Sequence, residues 1–73
     1  MDVAKVIYRD EDDRKKEIET GKQIPGKNGV KASSVEIDEE GEWVMIHTED
    51  RSGNEGSLII PRERILLINE GRV

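Results

Sequence analysis

Cysteine and phenylalanine are both absent from this 73-residue chain, and Tyr8 and Trp43 are its only aromatic residues. Without Cys there is no disulfide scaffold, no thiolate zinc site and no thiol redox chemistry. Apolar residues make up 33% of the chain, below the roughly 45–50% usual for globular domains. A chain this short buries only about 60% of the surface it exposes when unfolded. We therefore expect one small domain, residues 1–73, with a small core.

Long apolar runs are also missing. No stretch approaches the ~18–20 apolar residues that a membrane span needs, and the first residues lack the pattern of a signal peptide. We expect a cytoplasmic protein that does not associate with a membrane.

Negative charge predominates, and the net charge of −5 argues against general nucleic-acid binding. The exception is the window 14–31, which carries six basic and two acidic residues. Within it, Lys22, Lys27 and Lys31 could contact the phosphates of a nucleic acid without reading its sequence. A small nucleic-acid-binding barrel that uses the basic window is therefore our alternative function.

"GKQIPGKN", residues 21–28, resembles a phosphate-binding loop but has Asn28 where that motif requires Ser or Thr. Pro25 removes one of the N–H groups that would cradle a phosphate, and Asn28-Gly29 is typical of a turn rather than of a helix start. We interpret the stretch as a surface loop that contains a Pro-Gly turn and an Asn-Gly turn.

No other motif indicates catalysis or a metal. The acidic run 10–13 is followed by Arg14 and Lys15, which repel a cation. His47 is the only histidine, and no serine stands in a nucleophile motif. We expect no metal, no cofactor and no enzymatic activity.

Apolar clusters rich in Ile and Val predict an all-β fold of five strands at 3–8, 32–40, 42–49, 57–60 and 65–69. Residues 61–64, "PRER", predict a 3₁₀ turn before the last strand, because Pro61 stops the ladder. Residues 10–20 are open to two interpretations. Capping by Asp10 and charge spacing favour a short helix, whereas the single apolar residue Ile18 favours a charged loop.

Five short strands and a 3₁₀ turn indicate a small, strongly bent antiparallel barrel. The predicted core is listed here: Val3, Val6, Ile7, Val35, Ile37, Val44, Ile46, Leu58, Ile60, Ile65 and Leu67.

Residues 39–70 resemble the second half of a Src-homology-3 domain. The shared features are an acidic Gly turn before a strand that opens with Trp43, a hairpin loop at 50–56, and a strand that ends in Ile60-Pro61 before the 3₁₀ turn. "VIYRD" (6–10) and "IETGKQI" (18–24) are similar to the first strand of that family and to its apolar-to-Gly turn.

The resemblance implies a partner-binding groove at Tyr8, Trp43 and Pro61, where the family binds polyproline helices. Two further aromatic positions of the family groove are Asp10 and Arg64 here, so we do not expect a proline-rich ligand. We expect a non-enzymatic interaction module, accessory or regulatory, that acts through a protein partner or self-association. The runs 43–46 and 65–68 are apolar on both faces of their strands, which favours a partner, a second copy or cover by residues 9–31.

Overall fold

Six strands and one 3₁₀ turn make up the computed structural model, which describes residues 1–71. The last two positions of the predicted domain 1–73 lie outside the described residues. The strands are β1 (Lys5–Arg9), β2 (Lys15–Glu19), β3 (Ala32–Glu40), β4 (Trp43–Asp50), β5 (Glu55–Pro61) and β6 (Ile65–Asn69). The 3₁₀ turn, Arg62–Arg64, joins β5 to β6 as predicted. Within residues 1–71, no helix is long and apolar enough to cross a membrane.

The strands form two antiparallel sheets of three, in the orders β2-β1-β6 and β3-β4-β5. The all-β prediction is confirmed, but the predicted number of five strands is wrong, and the pairing of the described strands shows no closed barrel. Six strands are present in the described chain, and its strand pairing does not close the sheets on each other. The reason is that, among residues 1–71, β5 has only β4 as a strand neighbour and β6 has only β1.

The extra strand is β2, in the segment 10–20 that sequence analysis left open. The short-helix interpretation is wrong, and the loop interpretation holds only for the residues before Lys15. Oδ1 of Asp10 accepts hydrogen bonds from the backbone N–H groups of Asp12 and Arg14, both at 2.9 Å. These bonds close a tight loop, in which Asp13 adopts a φ of 61°. The chain then returns along β1, where Ile18 pairs with Val6 and both side chains are buried. Pairing of β2 with β1 thus buries Ile18, the one apolar residue of the segment 10–20.

The core lies between the inner faces of the two sheets. The buried apolar residues are Val3, Val6, Tyr8, Ile18, Ile24, Ala32, Val35, Ile37, Val44, Ile46 and Ile60. Tyr8, Ile18, Ile24 and Ala32 were not in the predicted core.

Four residues of the predicted core are less buried than expected. Ile65 and Ile7 are half-buried, and Leu67 faces Ile7 across the sheet and is 46% exposed. The register of β1 is the reason for Ile7, because it turns Val6 and Tyr8 inward. Leu58 is 38% exposed, because no strand of the described chain pairs with the outer edge of β5.

Residues before β1 connect the two sheets. The N–H of Val3 donates to the carbonyl of Val35 at 3.0 Å, and the N–H of Ile37 donates to the carbonyl of Met1 at 2.9 Å. At the next residue the chain changes sheet, since the N–H of Ala4 donates to the carbonyl of Asn69 at 2.8 Å. The edge of β3 is therefore covered by the first residues of the chain.

The stretch 21–28 lies in a loop of turns, as interpreted from the sequence. The N–H of Lys27 donates to the carbonyl of Ile24 at 3.0 Å, and the N–H of Val30 donates to the carbonyl of Lys27 at 3.1 Å. The chain continues into β3 rather than into a helix, so the helix start that a phosphate-binding loop requires does not follow the stretch.

Two isoleucines on neighbouring strands test the inner and outer faces of the β3-β4-β5 sheet. Ile46 is 1% exposed and Ile59 is 57% exposed. We expect Ile46→Ala to lower the free energy of unfolding by roughly 2–5 kcal/mol, because it leaves a cavity. The control Ile59→Ala should cost about 1 kcal/mol or less, the span of strand propensities. Urea unfolding of both variants measures the difference, and equal losses would contradict the assignment of faces.

Candidate interaction groove

Tyr8, Trp43 and Pro61, the predicted partner-binding residues, all line one open groove of ≈ 490 Å³. We call it the β5 groove, and its remaining lining residues are Arg9, Asp10, Glu11, Asp12, Leu58, Ile59, Ile60 and Arg64. One wall is the end of β1 with the loop that follows it, and the other is the last part of β5. Three residues that are far apart in the sequence thus meet at one surface.

Strand register places the aromatic and apolar side chains of this surface. Trp43 pairs with Pro61, and Met45 pairs with Ile59. Since Val44 and Ile46 are buried, the alternation of side chains turns Trp43 and Met45 to the outer face. Trp43 is 52% exposed, so its indole ring is not part of the core.

Hydrogen bonds fix the loop that forms the opposite wall. Besides the two bonds to Oδ1 of Asp10, Nη1 of Arg64 donates to the backbone carbonyl of Asp10 at 2.7 Å. Nζ of Lys16 lies 3.9 Å from the other carboxylate oxygen. The N–H of Arg14 is the main cause that lowers the pKa of Asp10, with help from the N–H of Asp12 and the charges of Lys16 and Arg14. Burial, and then the charge of Asp10, raises the pKa of Tyr8.

Carboxylates outnumber arginines, five to three, in the two clefts beside the exposed indole. Glu11 and Asp12 line the β5 groove, while Glu42 and Glu63 line the adjoining cleft beside Trp43. Among residues 1–71, none of these four acids takes part in a salt bridge. A cation is attracted by carboxylates and by the face of an indole ring, so the groove combines two features that favour a basic ligand.

The three lysines of the basic window do not share a cleft. Nζ of Lys22 lies 3.9 Å from a carboxylate oxygen of Glu19. Lys27 lies near Gly56 and contributes to the lowered pKa of Asp50, whereas Lys31 lines a separate cleft. Their charges are therefore partly balanced and do not add up at one surface.

A row of polar side chains crosses the outer face of β3-β4-β5, and sequence reasoning missed it. Nε2 of His47 lies 3.2 Å from Oδ2 of Asp38, and Nδ1 of His47 lies 2.9 Å from Oγ of Ser57. Only strand register, which pairs His47 with Ser57, brings these residues together. Serine, imidazole and carboxylate follow one another as in hydrolytic triads, but the two ring nitrogens are exchanged relative to those triads.

The surroundings of this row do not suit acyl transfer. Glu36, Glu49 and Glu55 line the same shallow cleft, and their negative charges would destabilise a developing oxyanion rather than stabilise it. Within the described chain, no group of three or more His, Asp or Glu residues is arranged to hold a metal ion. We interpret the row as cross-strand pairing on a solvated face.

A scan against protein-family models and searches of curated proteins and solved structures found nothing that matches the chain.

The pH dependence of the unfolding free energy tests whether the carboxylate of Asp10 anchors the loop of the β5 groove. Asp10→Asn removes the titrating carboxylate but keeps an acceptor oxygen for the N–H groups of Asp12 and Arg14. Because the folded-state pKa of Asp10 is lowered, its ionised form stabilises the fold above the ordinary Asp value of about 3.9. That contribution is lost as the pH falls through the folded-state pKa.

We therefore expect the unfolding free energy of Asp10→Asn to fall less steeply than that of wild type over roughly pH 5 to pH 1. Urea unfolding at a series of pH values measures the slope. Asp50 has the same type of anchor, with Oδ1 accepting from the N–H groups of Ser52 and Asn54 at 2.9 and 3.0 Å, so Asp50→Asn should act alike. Slopes equal to that of wild type in both variants would contradict the assigned role.

Proposed function

We propose that the protein is a non-enzymatic interaction module, accessory or regulatory, that binds a protein partner through the β5 groove. The observation that carries the proposal is the exposure of Trp43, next to Pro61 and Ile59 and among unpaired carboxylates. A Trp side chain that a partner buries often contributes a large part of the binding free energy. In the free protein its exposed ring stabilises the fold little, so its position is better explained by binding than by folding.

The chemistry of the groove indicates the partner. An apolar strip of Trp43, Ile59 and Pro61 requires apolar side chains from the ligand, and the acids Glu11 and Asp12 require Lys or Arg. The chain's net charge of −5 adds a long-range attraction for a basic ligand. We infer that the partner presents a segment in which basic and apolar residues are interspersed.

A relation to Src-homology-3 domains is part of this proposal. It is supported by the Trp that opens β4, the 3₁₀ turn after Ile60-Pro61, and the meeting of Tyr8, Trp43 and Pro61 at one groove. Where that family has two more aromatic residues, Asp10 and Arg64 bond to each other here. This polar contact supports a ligand other than a polyproline helix.

Self-association is a second route by which the module could act, and it rests on a different surface. Leu66 and Leu67 of β6 are 47% and 46% exposed, and β6 has a free outer edge in the described chain. Ile18 and Ile24 are buried in the core, where they pack between the sheets rather than over these leucines. A homo-oligomer and a cytoplasmic location stay predictions. The dispersed lysines give less support to nucleic-acid binding.

The variant Trp43→Ala tests whether the Trp43 side chain contributes to ligand binding rather than to the stability of the fold. Since half of its side chain is exposed, we expect Trp43→Ala to change the unfolding free energy by about 1 kcal/mol or less, far below the ~3–5 kcal/mol for a buried Trp. Peptides selected from a random library on the wild-type protein should be rich in Lys and Arg. Their affinity for Trp43→Ala, measured by calorimetry, should fall at least about tenfold, as for a hot-spot residue.

Leu67→Ala is the matched control, because Leu67 is exposed to a similar extent but lies on the other sheet. It should leave the affinity of the selected peptides unchanged. Full affinity in Trp43→Ala, or equal loss in the control, would exclude the β5 groove as the binding site.

A further inference from the structure

Four consecutive residues of β5, from Leu58 to Pro61, line the β5 groove. Side chains of a strand alternate between its two faces, so a groove that lies on one face would touch every second residue. A groove that touches all four must run along the edge of the strand. A second cleft continues along the same edge, because it is lined by Gly56, Ser57 and Leu58.

The hydrogen bonding of β5 shows which backbone groups face this edge. The N–H of Arg62 donates to the carbonyl of Glu42 at 2.7 Å, in register with the pairing of Pro61 and Trp43. Bonded pairs alternate along an antiparallel ladder, so Ile60 and Leu58 direct their backbone groups to β4.

The residues between them direct their backbone groups away from β4. Ile59 thus presents both N–H and C=O to the β5 groove, and Pro61 presents its C=O there, whereas Ser57 presents its N–H and C=O to the second cleft. Pro61 lacks an N–H, which fits an outward position at a sheet edge. Among the described residues, no strand pairs with this edge.

We propose that the ligand of the β5 groove binds as an added strand: an extended, basic segment of a partner protein pairs its backbone with Ser57 and Ile59 at the free edge of β5. The inference rests on the proposed function and specifies its geometry. Strand addition of this kind takes affinity from main-chain hydrogen bonds and specificity from alternate side chains.

Each face of the added strand meets a different surface. Side chains directed to the outer face of the sheet contact Trp43, Ile59 and Pro61. Those directed inward contact Tyr8 and Leu58, and the exposed part of Leu58 is the apolar surface that they cover. Basic side chains reach the carboxylates of the loop.

Charge decides between a partner segment and a second copy of this chain. Edge-to-edge pairing of two β5 strands would bring two acidic loops, each with Glu11 and Asp12, against the same seam. It would also join two chains of net charge −5. A basic segment is attracted where a second copy is repelled.

Amide exchange in the free protein tests the edge first. By NMR, the amides of Ser57 and Ile59 should exchange fast and those of Leu58 and Ile60 slowly, because only the latter pair is bonded to β4. Slow exchange at Ile59 in dilute protein would overturn the proposal. Protection at Ile59 that increases with protein concentration would also overturn it, in favour of a second copy.

A synthetic peptide of alternating lysine and valine then serves as the probe. We expect it to bind and to slow the exchange of the Ile59 amide, with Leu58 and Ile60 as internal references. The matched control has the same side chains but a methyl group on every backbone nitrogen, so it cannot donate to the Ile59 carbonyl. Its affinity should be at least about tenfold lower, as expected when one or two net hydrogen bonds are lost.

The outcomes separate this inference from the proposed function. Equal affinity of the two peptides, or binding without protection of the Ile59 amide, would overturn strand addition. If Trp43→Ala also abolished that binding, the groove would stand as the interaction site. Absence of binding by the alternating peptide would overturn the inferred ligand, and the selection of library peptides would then decide on the proposed function by itself.

Discussion

The pairing of Pro61 with Trp43 is the constraint on which the rest of the molecule depends. It turns Val44, Ile46 and Ile60 into the core and leaves the Trp43 ring outside. A slip of one residue would exchange the two faces, exposing the core isoleucines and burying the indole. The same pairing sets which backbone groups of β5 bond to β4. Core, apolar strip and free edge are thus consequences of one register.

Some carboxylates of the groove loop form contacts that hold the fold, and others are unpaired. Asp10 is occupied by two backbone N–H groups and by Lys16, while its carbonyl accepts from Arg64. These contacts hold the groove loop against the end of β5, although a loop so rich in acids repels itself. The anchored loop then displays Glu11 and Asp12, whose charges no described salt bridge balances. The hydrogen-bonded carboxylate of Asp10 thus holds the loop that carries the unpaired carboxylates of Glu11 and Asp12.

The sequence predicts those parts of the fold that depend on local pattern. Alternation in β3, the apolar run of β4 and the 3₁₀ turn after Pro61 are all local signals, and a resemblance to Src-homology-3 domains was what predicted that Tyr8, Trp43 and Pro61 lie at one surface. β2 was missed because its formation depends on pairing with β1, which no short window shows. The inward position of Tyr8 and the row of Asp38, His47 and Ser57 were missed for the same reason, since both need a register.

The free edge of β5 is a risk for aggregation unless it serves to bind a ligand. An unpaired apolar edge invites aggregation, and proteins protect such edges with charge, with Pro or by covering them. β2 has charged residues at four of its five positions, and the first residues of the chain cover part of β3. β5 carries Pro61 only at its end, while Ile59 stays exposed in the middle. Charge that disfavours edge-to-edge pairing of β5 therefore has to come from outside the strand. The acidic loop beside the edge carries such charge. Under the proposed strand addition, that loop would repel other copies of this acidic chain and attract basic segments, so the same charges would protect the edge and select its ligand.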